Sequence, residues 1–277
     1  MLKTRIITAL GLLAILLPVL FFNHFPAFSV IVTVFFAAAV WESFRLFKNK
    51  QALLAALFWS AAFVYTFFFG SGLLHANFWF ALSCALWLLR FVPALATGLP
   101  PLEGLGNTML SLVYAVAIVG CFVATVVLFK HAPLYLLSVL ALVWSADIGA
   151  YFSGKAFGKR KLAPTISPGK SWEGVLGGAL AVLLLAALAI FCADSAAWLQ
   201  DTFAVRLQAR LGWVAAVAVL LLIVGASVVG DLFESMLKRR AGIKDSSKLL
   251  PGHGGVLDRI DALIPVLPLA ALIDAWL

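Results

Sequence analysis

Acidic and basic residues of the kind that bind a metal–phosphate complex are concentrated in two segments of the chain. Residues 147–173 and 231–261 together hold 11 of the 20 basic residues and 7 of the 12 acidic ones. Carboxylates are preferred ligands of Mg²⁺, which keeps waters and takes substrate phosphates as its other ligands. Lysine and arginine neutralise phosphate oxygens through charge-assisted hydrogen bonds. The two segments therefore predict a site for a phosphate-bearing substrate.

The second segment places carboxylates at helical spacing on both sides of a cationic, glycine-rich loop. The loop runs over residues 244–255 and is followed by Asp258 and Asp261, which share one face at the start of a helix. Backbone amides near such a helix start add donors for phosphate. The polar residues that share one face of the helix before the loop are Asp231, Glu234, Ser235 and Lys238.

The first segment is a weaker candidate for phosphate binding. Asp147 ends an apolar stretch, where it could be a ligand or the partner of a cation. The turn predicted at residues 167–171 would present Lys170 to phosphate, with Ser171 and Glu173 beside it. Its spacing is not that of a Walker A loop, so the turn alone does not identify a nucleotide site.

His253 is the only histidine in the two segments. Two interpretations of it stay open, a general base and a residue that stabilises the turn. The glycines on both sides favour the turn, because such sequences form tight loops.

The composition excludes an ordinary soluble protein. The chain has 277 residues, of which 64% are hydrophobic and 12% are charged, and its mean hydropathy is +1.09. Soluble domains are about 45–50% apolar and about 25% charged. The net charge of +8 would suggest nucleic acid in a soluble protein. Because the basic residues here lie in loops between apolar stretches, we expect no nucleic-acid partner.

Apolar stretches of near-membrane length recur along the whole chain. A transmembrane helix needs about 20 apolar residues to cross a hydrocarbon core of about 30 Å. The predicted fold is therefore an all-α, polytopic membrane helical bundle with about nine transmembrane helices. The predicted spans lie at roughly 6–22, 27–41, 52–70, 73–92, 108–129, 133–152, 174–193, 212–233 and 260–276.

The basic residues predict the orientation of this bundle. Cytoplasmic loops of membrane proteins carry an excess of lysine and arginine. With the N-terminus in the cytoplasm and nine alternating helices, inside segments hold 17 of the 20 basic residues, and only Lys130, Arg206 and Arg210 lie outside. The sequence therefore predicts an N-in/C-out topology with both polar segments facing the cytoplasm.

The two halves of the chain are expected to differ in role. The first half lacks ionisable residues that need a partner or a function, and Arg45, Lys48 and Lys50 are interpreted as topology anchors. Residues 1–107 are thus predicted to be N-terminal scaffold helices. Residues 108–277 are predicted to be the catalytic region, with cytoplasmic polar loops at 147–173 and 234–261.

The run from Ser235 to Asp261 resembles the signature of the phosphatidate cytidylyltransferases, also named CDP-diacylglycerol synthases. In this chain it reads S-x-L-K-R-x4-K-D-x-S-x2-L-P-x-H-G-G-V-x-D-R-I-D. No fixed position departs from the pattern. The region from Asp147 to Gly174 resembles the second polar loop of that family, whereas the N-terminal third carries no distinctive motif.

The resemblance implies a membrane nucleotidyltransferase that makes CDP-diacylglycerol and pyrophosphate from CTP and phosphatidate. It implies a bacterial inner-membrane protein, a homodimer, and Mg²⁺, alone or with a second ion such as K⁺, ligated by Asp231, Asp258 and Asp261. The predicted catalytic residues are Asp231, Lys238, Arg239, Lys244, Asp245, His253 and Arg259. The predicted substrate-binding residues are Asp147, Lys170, Ser171, Glu173, Ser235, Gly254 and Gly255.

Two alternatives are distinguishable from this activity. A CTP-dependent membrane lipid-alcohol kinase would leave CDP instead of pyrophosphate, and the complete pattern in residues 235–261 argues against it. A transporter for an anionic metabolite would bind near the bilayer midplane between repeated halves. The charges of this chain cluster at one membrane face, and its halves are dissimilar.

Overall fold

The fold is a bundle of helices with one short β-hairpin. The computed structural model describes residues 2–70 and 72–277, and it is 78% helical. The predicted all-α architecture is confirmed. In chain order the helices are α1 (Leu2–Phe21), α2 (Phe25–Leu46), α3 (Ala52–Val64), α4 (Ala76–Leu86), α5 (Val92–Thr97), α6 (Leu105–His131), α7 (Pro133–Phe157), α8 (Trp172–Cys192), α9 (Phe203–Ala241), α10 (Leu257–Ile260) and α11 (Leu263–Asp274).

Within the described residues, seven helical segments are long and apolar enough to cross a membrane. α3 continues through a π-helical turn at Tyr65–Phe69, and α4 continues through another at Trp87–Phe91 into α5. Helices suit these apolar runs because they satisfy every backbone hydrogen bond internally, as a bilayer requires. The seven segments are Phe25–Leu46, Ala52–Phe69, Ala76–Thr97, Leu105–His131, Pro133–Phe157, Trp172–Cys192 and Phe203–Ala241.

The ninth predicted span corresponds to α11, which is shorter than expected. It has 12 residues, so it rises only about 18 Å, against about 30 Å for a hydrocarbon core. The chain turns back into the bundle before α11 begins. Gly230 lies against the carbonyl of Asp261, where an added β-carbon would be 2.3 Å from the oxygen. α11 therefore starts partway along α9, and the count of nine spans stays a prediction.

α9 has 39 residues and one interruption, at Gly212, whose φ of 76° and ψ of 173° are not helical. The sequence predicts this span to begin at residue 212, whereas the helix already begins at Phe203, before the kink. From residue 213 to its end, α9 is about 43 Å long. This exceeds the hydrocarbon core and leaves its charged last turn, Lys238–Arg240, free to lie outside it.

The centre of the bundle is α6. In its apolar window 72% of the residues are buried, against 17–44% in the other six spans. Phe91, Tyr114 and Phe233 form an aromatic cluster in which ring centroids lie 4.7–5.7 Å apart. Because Phe233 belongs to α9, this cluster fixes the part of α9 that carries Asp231.

A β-hairpin leads into α8. Strands β1 (Lys161–Ala163) and β2 (Ser167–Ser171) pair antiparallel, with Lys161 opposite Ser171. Residues 167–171 were predicted to be a turn, and they form a strand because pairing with β1 satisfies their backbone groups. Ser171 is also the N-cap of α8, since its hydroxyl accepts a hydrogen bond from the Gly174 N–H (3.2 Å). Lys170, in β2, is therefore held in place directly before the start of α8.

Candidate active site

A cavity of about 400 Å³ lies between α7, β2, α8 and α9. The ammonium of Lys170 from β2 lies 2.5 Å from the carboxylate of Asp231 from α9. The structure therefore brings the two polar segments together at one end of the bundle. The predicted site residues that line the cavity are Asp147, Lys170, Ser171 and Asp231.

Three carboxyl groups interact electrostatically around this cavity. Asp147 and Asp261 each feel the negative charge of Asp231. Burial, together with the charge of Asp231, raises the pKa of Asp261 above its ordinary value. One oxygen of Asp261 accepts a hydrogen bond from the N–H of Ala262 (2.8 Å). Carboxyl groups that repel one another in a buried place favour a bound cation.

The carboxyl cluster fits the ligand chemistry of Mg²⁺ without forming a complete protein cage. Among the residues that the structure describes, no three or more His, Cys, Asp or Glu side chains are grouped so that they could hold a metal ion. Mg²⁺ is usually bound by one or two carboxylates, with waters and substrate phosphates as its other ligands. Asp231, which is 34% exposed, and Asp261 are suited to such a shared site.

Lys238 is the centre of a buried ion network. Its ammonium contacts the carboxylate of Glu234 and lies 2.6 Å from Oδ1 of Asp258. The side chain of Glu234 is fully buried, and breaking a buried pair costs about 3–5 kcal/mol. Lys238 thus already has two partners within the protein, and the catalytic role predicted for it stays a prediction.

Asp258 holds the glycine-rich loop. Its Oδ2 accepts hydrogen bonds from the N–H groups of Ser246 (2.8 Å) and Gly255 (2.7 Å) and from the Ser246 hydroxyl (2.8 Å). Burial opposes its ionisation, but these hydrogen bonds and Lys238 hold the pKa of Asp258 below its ordinary value. Both oxygens therefore have partners: Lys238 at Oδ1 and the loop at Oδ2. The predicted metal bond from Asp258 requires the ion to take the place of Lys238 at Oδ1, while the loop keeps Oδ2.

Glu42 is a residue of this region that the sequence interpretation missed. The expectation that the first half lacks such ionisable residues is wrong, because Glu42 in α2 is 0% exposed. Its carboxylate accepts hydrogen bonds from the N–H groups of Val256 (3.0 Å) and Leu257 (2.6 Å). The available signal was an acidic residue ending an apolar stretch, which has to find a partner in a membrane. The partners themselves lie more than 200 residues away.

His253 and Arg259 stabilise the turn at the end of the glycine-rich loop. The N–H of His253 donates to the carbonyl of Leu250 (2.8 Å). The guanidinium of Arg259 donates twice to the carbonyl of His253 (3.0 and 2.7 Å). Nδ1 of His253 is buried and has no hydrogen-bond partner within the described part of the chain. This geometry favours the turn interpretation of His253.

The other predicted residues do not line the cavity. Glu173 accepts a hydrogen bond from the N–H of Lys159 (3.1 Å) and pairs with the Arg160 guanidinium (3.1 Å), so it anchors the chain before β1. The hydroxyl of Ser235 donates to Asp231 (3.3 Å). At the end of α9 and in the glycine-rich loop lie Arg239, Lys244, Asp245, Gly254 and Gly255.

Nearly the whole length of the chain is similar to known proteins. A model described as the cytidylyltransferase family matches residues 3–276. The chain belongs to this family. The phosphatidate cytidylyltransferase of Pseudomonas aeruginosa is 43% identical over 98% of this chain and 96% of its own length. Those of Haemophilus influenzae and Bacillus subtilis are 36% and 30% identical, over 97% and 96% of this chain and 96% and 95% of their own lengths.

The predicted family of this cytidylyltransferase is thus confirmed. The similarity extends through the N-terminal third, in which the sequence alone shows no motif. Neither the lipid-alcohol kinase nor the transporter is supported by these relatives.

Proposed function

We propose that this chain transfers the cytidylyl group of CTP to phosphatidate, forming CDP-diacylglycerol and pyrophosphate. Relatives that match nearly the whole chain carry the name of this activity. The observation that carries the proposal is the contact between Lys170 and Asp231, at 2.5 Å, inside the cavity. This contact places a cation that can bind phosphate next to a carboxylate that can bind a metal ion.

The reaction depends on positioning and charge neutralisation more than on a general base. A phosphate monoester has its second pKa near ~6, so phosphatidate is largely dianionic at neutral pH. One of its phosphate oxygens attacks the α-phosphorus of CTP. The new P–O bond forms as the bond to the β-phosphate oxygen breaks, and pyrophosphate leaves with the electron pair. Enzymes accelerate such transfers mainly by positioning and electrostatic stabilisation.

We propose that different cations of the site bind different phosphate groups of the substrates. Lys170 lies within the cavity and suits the phosphate at the reacting centre. Arg239, Lys244 and Arg259 are exposed near the cavity's end of the bundle, where they suit the oxygens of the triphosphate and of pyrophosphate. Arginine and lysine stabilise these oxygens by charge-assisted hydrogen bonds.

We propose Asp231 and Asp261 as ligands of Mg²⁺, with Asp258 as a third ligand once it exchanges a hydrogen bond. When bound, Mg²⁺ neutralises charge on the triphosphate and on the departing pyrophosphate. A second ion such as K⁺ belongs to the same proposal. Asp147 adds a fourth carboxyl group to the lining of the cavity, where it interacts electrostatically with Lys170.

The orientation is proposed with the site on the cytoplasmic side of a bacterial inner membrane. The distribution of charges in the structure supports it. At the end opposite the cavity, Arg206 and Asp274 approach to 3.7 Å beside His131, and the rest of that end is poor in basic residues. The positive-inside tendency then places the lysine-rich end in the cytoplasm. The homodimer is proposed on the family resemblance alone.

The test uses purified protein, phosphatidate, Mg²⁺ and CTP labelled at either the α- or the γ-phosphate. We expect the α label in lipid and the γ label in pyrophosphate. Lys170→Met should lose most of this transfer, whereas Lys130→Met, which removes an exposed lysine of α6 far from the cavity, should keep it. A γ label in lipid would replace the proposal with a kinase. Equal activity of the two variants would refute the assigned site.

A further inference from the structure

Glu42 connects the N-terminal half of the chain to the glycine-rich loop and to the start of α10, which carries Asp258. Besides the two backbone N–H groups of residues 256 and 257, its carboxylate accepts hydrogen bonds from the hydroxyls of Ser246 (3.1 Å) and Ser247 (2.5 Å). All of these partners are buried. Four donors thus converge on one carboxylate, and within the described residues no lysine or arginine forms an ion pair with it.

The arrangement continues from Glu42 to the proposed metal site through one side chain. The hydroxyl oxygen of Ser246 lies 3.1 Å from Oε2 of Glu42 and 2.8 Å from Oδ2 of Asp258, so its single hydrogen is shared between the two carboxylates. The hydroxyl of Ser247 touches Glu42 but not Asp258, and it accepts a hydrogen bond from the N–H of Leu249 (3.0 Å). Both adjacent serines therefore contact Glu42, and only Ser246 also contacts Asp258 of the proposed metal site.

The space around Glu42 is filled by the loop itself. An added β-carbon on Gly255 would lie 2.0 Å from the Ser246 hydroxyl and 2.4 Å from Oε1 of Glu42. The glycine at this place lets the backbone pass against the carboxylate. The loop is thus shaped around Glu42 and does not merely pack beside it.

We infer that Glu42 is a positioning residue of the transferase. It fixes the start of α10, and with it the positions of Asp258 and of Asp261, which interacts electrostatically with Asp231 on α9. Residues behind the ligands of a metal site orient those ligands, and their loss commonly costs about 10–100-fold in metal affinity or activity. The inference rests on the proposed metal site, and it gives the N-terminal half, predicted to be only scaffold, a part in the reaction.

The serine pair provides a matched test. Ser246→Ala removes the hydroxyl that joins Glu42 to Asp258, whereas Ser247→Ala removes a hydroxyl that joins Glu42 only to the loop. Both variants are assayed for CTP turnover over a range of Mg²⁺ concentrations, and their unfolding temperatures are measured in the same detergent. Glu42→Gln and Glu42→Asp are assayed beside them, with Glu103→Gln, an exposed charge of the same half, as the control.

We expect Ser246→Ala to require about tenfold more Mg²⁺ for half-maximal activity, at an unfolding temperature close to that of Ser247→Ala. Ser247→Ala and Glu103→Gln should respond to Mg²⁺ as the wild type does. Glu42→Gln should shift the Mg²⁺ requirement in the same direction as Ser246→Ala, and Glu42→Asp should recover part of the loss.

Equal Mg²⁺ requirements of the two serine variants would overturn the inference, because Glu42 would then be a structural anchor only. If Glu42→Gln does not fold, the serine comparison still decides. Failure of the proposed function is separate, since it would appear as absent cytidylyl transfer in the wild type itself.

Discussion

Replacing Asp258 by asparagine tests the buried network that holds the glycine-rich loop. The amide oxygen of asparagine can accept the three hydrogen bonds that Oδ2 of Asp258 now accepts. The amide NH₂ would then face the ammonium of Lys238. One charge-assisted hydrogen bond is lost, which is worth about 1.5–3 kcal/mol. Lys238 keeps Glu234 as its partner, so the cost stays below the ~3–5 kcal/mol of an unpaired buried charge. We expect Asp258→Asn to lower the free energy of unfolding by about 2–3 kcal/mol.

The measurement is thermal unfolding in detergent, followed by the fluorescence of the nine tryptophans. For a chain of this size the loss corresponds to a fall of about 4–12 °C in the unfolding temperature. Asp194→Asn, which changes an exposed acidic residue in the turn after α8, serves as the control and should unfold as the wild type does. The double variant Lys238→Met, Asp258→Asn should lose less than the sum of the single losses, because the two side chains share one interaction.

An unfolding temperature of Asp258→Asn equal to that of the wild type would refute this reasoning. It would mean that Asp258 is not held by Lys238 and the loop in the unliganded protein. Strictly additive losses in the double variant would lead to the same conclusion for the pair.

Three further predictions follow from the packing and the carboxyl cluster. Gly255→Ala should greatly reduce activity, because the added β-carbon would lie 2.0 Å from the Ser246 hydroxyl. The control Gly225→Ala, whose β-carbon would have no atom within 4 Å, should keep its activity. Equal activities of the two variants would contradict this geometry. Phe233→Ala should lower the free energy of unfolding by about 3–5 kcal/mol. Phe191→Ala, which changes an exposed side chain, should lower it much less. Comparable unfolding temperatures of the two variants would disprove the role of the aromatic cluster. Chelation of Mg²⁺ should abolish CTP turnover, and added Mg²⁺ should raise the unfolding temperature of the wild type more than that of Asp261→Asn; an equal rise in both would exclude Asp261 as a ligand.

The helices and the family could be predicted from the sequence because both depend on local patterns. Apolar runs must be helical in a bilayer, since only internal hydrogen bonding satisfies their backbone. Each predicted span accordingly coincides with a helix, although α11 is too short for a full crossing. The pattern from Ser235 to Asp261 is contiguous, so the family could be identified without coordinates.

Partners of individual charges could not be predicted, because they come from distant parts of the chain. The sequence shows Lys170 and Asp231 as members of two polar segments, but their 2.5 Å contact depends on how α8 packs against α9. The sequence indicates Lys238 as a catalytic candidate, but not that the fold pairs its ammonium with Glu234 and Asp258.

Glu42 shows the same limit most clearly. Its residue type and its place at the end of an apolar stretch require a polar partner, but nothing local indicates which one. The partners lie 204–215 residues further along the chain, and only the folding of the last loop against α2 brings them together. The sequence by itself therefore determined the membrane bundle, the polar segments and the family. The tertiary structure decided which charges hold the loop and which ones remain open to substrate and metal, because burial and pairing depend on long-range packing.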